Sequence, residues 1–469
     1  MDPERSMQQA TLIVVMTTSF ASTFLGSAIN LAIPAIAADF SSGAVLISWI
    51  VTSYLLASAA LLLPFGRLAD IMGRKRLYVI GIFLLGISTL LCVFAPTANI
   101  LIMLRICQGL ASSMIFGTGM AILTSVYPPQ QRGRVLGLSS TATYLGLSLG
   151  PFVGGWMSSL LGWRSIFLTV FIICALACAL SITKLKNDYT GFYRQKFDGT
   201  GSMLYAFGLT AFMYGLSSLN SSLIAPASAV IGALLLIWFV IHELKQSDPL
   251  LNMRIFKDNH RFAFANLSAM INYSAMFAVG FIVSLYLQLV YGFPAQTAGL
   301  ILLVQPVFMA LFSPLAGRIS DRRDPGIIAA FGMGLSGLGL MIFIFISPQF
   351  PIWLLVADLI LIGTGVAFFA SPNSNAIMGS VSKAFYGVAS SSLGTARLIG
   401  QALSMAIVTL LTGYFVGNTT LADVPVQQLM MIFKTAFILF SILSLAGIWT
   451  SLFSTRPGRH EERDVRSEA

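Results

Sequence analysis

Three ionisable side chains stand well inside long apolar runs of the sequence: Arg105, Asp358 and Arg397. A charge at the centre of a hydrocarbon layer costs at least ~2.5–3.5 kcal/mol, so each marks a use that offsets the cost. A carboxylate so placed can take up and release a proton, hold a cationic group of a ligand, or sit in a permanent ion pair. Asp358 is read first as a proton site, second as the fixed partner of Arg105, and third as a site for a cationic ligand. Arg105 and Asp358 lie at similar depth, roughly 10 Å from one end of their runs at 1.5 Å per residue. Arg397 falls near the middle of its run. Asn30, Asn266, Asn272, Tyr273 and Gln288 add polar contacts of the kind that orient a small molecule. Each serves equally as an interhelical hydrogen bond, worth ~0.6 kcal/mol.

The elements that carry these groups follow from composition. Of 469 residues, 57% are hydrophobic and 9% charged, with a mean hydropathy of +0.85. Too little charge is present to cover a water-facing surface, so the lipid bilayer is the main solvent. Fourteen runs of about twenty apolar residues read as membrane-crossing helices. Helix is required because backbone exposed to lipid must satisfy its own hydrogen bonds. The expected fold class is an all-α membrane protein of fourteen transmembrane helices, in two six-helix bundles with two inserted helices. The expected domains are residues 1–185, the insert 186–260, the second bundle 261–455 and a tail 456–469.

Sidedness rests on Lys and Arg. Of the 27, all but Arg105, Arg164, Arg397 and Lys434 fall in the N-terminus, alternate loops and the tail. That places both termini in the cytoplasm of a multi-pass cell-membrane protein. The net charge of +10 therefore belongs to membrane topology, and no nucleic-acid partner is expected. Cys92, Cys107, Cys174 and Cys178 all lie in apolar runs, so they read as packing residues. No metal-spaced cluster, Ser/His/Asp set or phosphate loop is apparent, which argues against an enzyme, a cofactor or an ATP-driven pump. The motif at Asn418 and the charged segment from Arg456 read as a chance glycosylation match and a disordered tail.

A repeat is visible in the sequence. Pro64-Phe-Gly66-Arg-Leu-Ala-Asp70 and Pro314-Leu-Ala-Gly-Arg-Ile-Ser-Asp321 each end a run and enter a basic loop. Two copies imply two related halves. With Gly73 and Arg74, the first copy resembles the loop signature of the major facilitator superfamily. Leu104-Arg105-Ile-Cys-Gln108-Gly109 is similar to its fourth-span motif. Gly146, Gly150, Pro151, Gly154 and Gly155 resemble the fifth-span motif of its antiporters. Trp49-Ile-Val-Thr-Ser-Tyr54, Trp163-Arg164 and Tyr286-Leu-Gln288 resemble the fourteen-span drug:proton antiporter branch in particular.

The resemblance implies a monomeric secondary transporter with a small-molecule substrate and protons as partners. Gly66, Asp70, Gly73, Arg74 and Asp321 would form a gating latch between the halves, and the glycine motif a seal. It also implies that spans four and twelve line a central cavity, so that Arg105 and Asp358 would face each other. The expected activity is proton-coupled efflux of a hydrophobic or amphipathic compound. Two alternatives remain: a facilitator or anion carrier using Arg105 or Arg397, and a non-transporting sensor or lipid-handling protein. Leu25 stands where the branch usually has a first-span carboxylate, so any proton must use another residue. Ser125 likewise replaces an acid at the end of the fourth span.

Overall fold

The computed structural model describes residues 3–185, 197–220, 222–246, 248–381, 386–417, 419–420 and 423–455. Asn418, His460 and the tail from Arg456 lie outside the described residues. Helices account for the chain: α1 (Pro3–Phe40), α2 (Ala44–Met72), α3 (Arg74–Val93), α4 (Ala98–Val126), α5 (Pro129–Leu160) and α6 (Arg164–Lys184). Next come α7 (Gly199–Ser217), α8 (Ala225–Lys245) and the short α9 (Met253–Asp258). Then follow α10 (His260–Leu285), which ends in a π-helical turn (Tyr286–Val290), and α11 (Ala295–Leu302) with α12 (Val304–Ser320), which together make one stretch. The last are α13 (Pro325–Phe343), α14 (Ile352–Gly379), α15 (Tyr386–Phe415) and α16 (Val426–Phe453). Among the described residues there is no strand, only an isolated bridge between Gly43 and Thr420.

Among the described residues, twelve helical stretches are long and apolar enough to cross a membrane, against the fourteen expected. The two expected spans outside that set are nonetheless helical: α5, of 32 residues, and α7, of 19. The reason for α5 is its makeup, because Gly, Ser and Thr lower its hydropathy while allowing close helix contacts.

The packing repeats. In the first half α1 lies on α5 and α6, α2 on α4, and α3 on α4 and α6. In the second, α10 lies on α15 and α16, α12 on α14, and α13 on α14 and α16. The halves meet along α2 with α15, α5 with α11, and α1 with α10. Helix α7 leans on α2 and α15 and carries α8 on its other side, with Tyr205 donating to the Ala59 carbonyl at 2.9 Å.

Glycine sets how closely α5 can approach its neighbours. A Cβ at Gly146 would strike Thr23, one at Gly150 would land on Ser27, and one at Gly154 would meet Ala28. These are all contacts with α1. A Cβ at Gly155 would instead strike the Ala295 carbonyl, and one at Gly299 the Pro151 carbonyl, so α5 and α11 touch backbone to backbone across the seam.

Candidate functional site

The two copies of the loop signature each fasten their own half. The Asp70 carboxylate takes Nε of Arg74 at 2.7 Å, and Arg74 also donates to Ser125 Oγ at 2.9 Å. Ser125 thus accepts the donor that an acid would otherwise have taken. Gly73, between Asp70 and Arg74, has φ +113°, a conformation in which a Cβ would be strained. In the second half, Asn375 donates to Ser320 Oγ at 2.6 Å and to Asp321 at 3.4 Å. The latch residues so arranged tie α2 to α3 and α4, and α12 to α14. In this conformation none of these bonds crosses the seam.

Arg105 is 0% exposed and held within its own half, with Nη2 buried and without a hydrogen-bond partner. Its Nε donates to the Ile50 carbonyl at 2.9 Å, and a terminal nitrogen donates to Gln108 at 2.8 Å. Its guanidinium lies 4.2 Å from the Tyr54 ring centre. Gln108 continues the network to Thr89 at 3.0 Å and Cys92 at 3.4 Å, both on α3. Asp358 is 2% exposed, and both its oxygens lack a hydrogen-bond partner. It presses on α13, where a Cβ at Gly339 would sit 2.8 Å from its Oδ1.

The expectation that Arg105 and Asp358 face each other is therefore corrected. The two residues take similar positions along their helices, but each points at helices of its own half, and no ion pair joins them. Depth is set by residue count along the axis, whereas direction turns by about 100° per residue.

The seam between the halves has a closed end and an open stretch. Away from the basic loops, Ile33, Ile47, Phe281, Leu285, Val408 and Phe433 converge from both halves into an apolar plug. Thr52 and Thr409 share a hydrogen bond at 3.2 Å, and Ser284 donates to the Asn30 carbonyl at 3.1 Å. One turn towards the basic loops, Gly26 and Gly280 have nothing within 4 Å of where a Cβ would stand. Each is four residues from a partner in the Asn30–Ser284 bond, so both lie on the stripes by which α1 and α10 meet. The halves part directly below that bond.

Two turns further towards the basic loops on α10 stands Tyr273, against which Arg397 of α15 packs. The guanidinium stands 5.3 Å from the Tyr273 ring centre, and both residues are half-buried. Gly400, one turn on, lets α15 approach the backbone of α10 at Met270 and Ser274. Asn30 Oδ1, Asn266 Oδ1 and both amide atoms of Asn272 are buried without a partner. Gln288 is turned back on its own helix, donating to Ser284 Oγ at 3.0 Å.

The sequence reading overlooked an anchor at the closed end. Asp39 accepts from Arg164 at 2.6 Å and from Trp163 at 3.2 Å, and Arg164 stacks on Trp163 at 4.2 Å. A carboxylate ending α1 together with the Trp-Arg pair was the available signal. Asp198 and His242, 2.9 Å apart, join α7 to α8 and were likewise not anticipated. The four cysteines are free.

These features define a polytopic helical membrane protein of two like halves meeting at a partly open seam. The chain belongs to the Major Facilitator Superfamily, whose family model matches residues 15–241 and 265–468. It is 31% identical over 396 residues to the riboflavin transporter RibZ of Clostridioides difficile, covering 84% of this chain and 86% of that one. It is 28% identical to the multidrug resistance protein Stp of Mycobacterium tuberculosis, over 81% of this chain and 71% of that one. The solved structure of the human organic anion transporter MFSD10 shares the fold, with TM-score 0.62 and 14% identity, covering 96% of this chain and 100% of that one. The protein is a transporter of this superfamily and not an enzyme.

Proposed function

We propose that this is a fourteen-span secondary transporter of the drug:proton antiporter branch, which expels a hydrophobic or amphipathic small molecule in exchange for protons. In this reading residues 1–185 and 261–455 are the two moving bundles, with α5 and α7 completing the count of fourteen. Residues 186–260 carry the inserted pair, and residues 456–469 are a cytoplasmic tail. The chain works as a monomer in the cell membrane with both termini in the cytoplasm. Relatives named as multidrug resistance proteins support export, and the seam, plugged at one end and parted below, supports alternating access.

The observation that carries proton coupling is Asp358 without a partner. An ionised carboxylate buried with neither donor nor cation is costly, so in this conformation the group must keep its own proton. Rocking of α14 against α13 would open it to water and release that proton. Gly339 lets Asp358 and Ile362 pack directly on the α13 backbone, where a Cβ would clash with both. Because Leu25 cannot carry a proton, Asp358 takes the part that the first span plays elsewhere in the branch. The test is efflux from proteoliposomes with and without a pH gradient. Wild type should respond to the gradient and Asp358→Asn should not; an equal response in both removes Asp358 from coupling.

A further inference from the structure

We infer that the gap between α1, α10 and α15 receives a flat aromatic anion, with its rings in the slot at Gly26 and Gly280 and its acidic group on Arg397. The inference rests on the reading of the seam as the transport chamber and adds the chemistry of what enters it.

The slot is narrow in one direction by construction. The Asn30–Ser284 bond holds α1 and α10 together at 3.1 Å, and one turn away both walls are bare backbone beside open space. Two helices parting from a fixed contact leave a wedge, and a slab fills a wedge better than a sphere does. From Gly280 the open face of α10 runs through half-buried Phe277 to Tyr273. Seven residues of helix span roughly 10 Å, about the length of three fused rings.

The charge is set at the lower end. Arg397 stacks on Tyr273, and among the described residues no carboxylate pairs with it. A guanidinium held mid-helix beside an aromatic ring presents a planar fork that suits a carboxylate, sulfonate or phenolate. By contrast Arg105 spends Nε and one terminal nitrogen on the Ile50 carbonyl and Gln108 within its own half. At the other end, Asn30 is more than nine-tenths buried and its Oδ1 has no donor. It lies on the same stripe of α1 as Gly26. An N–H or O–H on the far edge of the ring system would satisfy it.

The experiment uses two dyes with one three-ring scaffold and opposite charge, fluorescein and rhodamine 6G. Each is titrated by fluorescence anisotropy into the purified full-length protein in nanodiscs, at one pH and without a gradient, so that proton coupling plays no part. Fluorescein should bind wild type more tightly than rhodamine 6G. Arg397→Gln should weaken fluorescein about tenfold or more while leaving rhodamine 6G within about twofold. Arg397→Lys should restore part of the fluorescein affinity, which separates charge from folding. Gly280→Leu should weaken both dyes by filling the slot. Wild type that prefers rhodamine 6G, or Arg397→Gln that binds fluorescein unchanged, overturns the inference. Labelling of Gly280→Cys by a water-soluble maleimide, above the wild-type background, tests the chamber itself. Labelling without a fluorescein preference refutes the ligand class alone, and absence of labelling refutes the chamber.

Discussion

Arg105 and Asp358 occupy matching places in the two halves, the eighth residue of α4 and the seventh of α14, and both are withdrawn from water. Their surroundings are opposite. Arg105 meets a carbonyl, an amide and an aromatic ring, and through Gln108 it ties α4 to α3. Asp358 meets a glycine. The first arrangement fixes a charge within one rigid bundle; the second leaves a group whose needs can only be met by its own proton or by a change of conformation. A repeated fold can thus surround one position with partners in one half and leave it without them in the other.

The sharpest way to break the contrast is to remove the charge that has partners. Arg105→Ala should cost on the order of 3 kcal/mol, through lost packing and an orphaned Gln108 amide. Thermal unfolding of the purified protein should show this equally at pH 6 and pH 8. Gln108→Leu should cost less, about 1–2 kcal/mol, because it strips one partner from a cation that keeps two others. Asp358→Asn should change stability by less than about 1 kcal/mol, since no partner is lost. Tyr54→Phe should have a similarly small effect, losing only the 3.0 Å bond to Ser112 while keeping the ring under Arg105. If Asp358→Asn instead destabilises as strongly as Arg105→Ala, the two positions are alike and the distinction fails.

Much of this was readable from the chain. Asp70, Gly73 and Arg74 could be placed at a helix end because a Gly-Arg-aliphatic-small-Asp turn repeats before two basic loops. The glycines of α5 could be assigned to packing because they leave no side chain to hold helices apart. Arg105, Asp358 and Arg397 stood out because apolar sequence surrounded them. Orientation was not readable. Whether Arg105 looks toward Asp358 or toward Ile50 depends on which helices flank α4 and at what rotation, and neither is set by the sequence of α4. The span at α5 was legible by its length, although its Ser, Thr and Gly serve helix contact at the expense of hydropathy. The Asp39–Arg164 anchor joins residues 125 positions apart, and only the folded arrangement brings them together.

The proposed proton exchange requires Asp358 to hold its proton while buried, and infrared difference spectroscopy reads that proton directly. Wild type minus Asp358→Asn, at neutral pH, should show the carbonyl stretch of a protonated carboxyl, and that band should weaken when substrate drives the transporter into its other state. A difference spectrum with only carboxylate bands at neutral pH would mean that Asp358 is ionised where it stands, and proton exchange at this residue would be refuted.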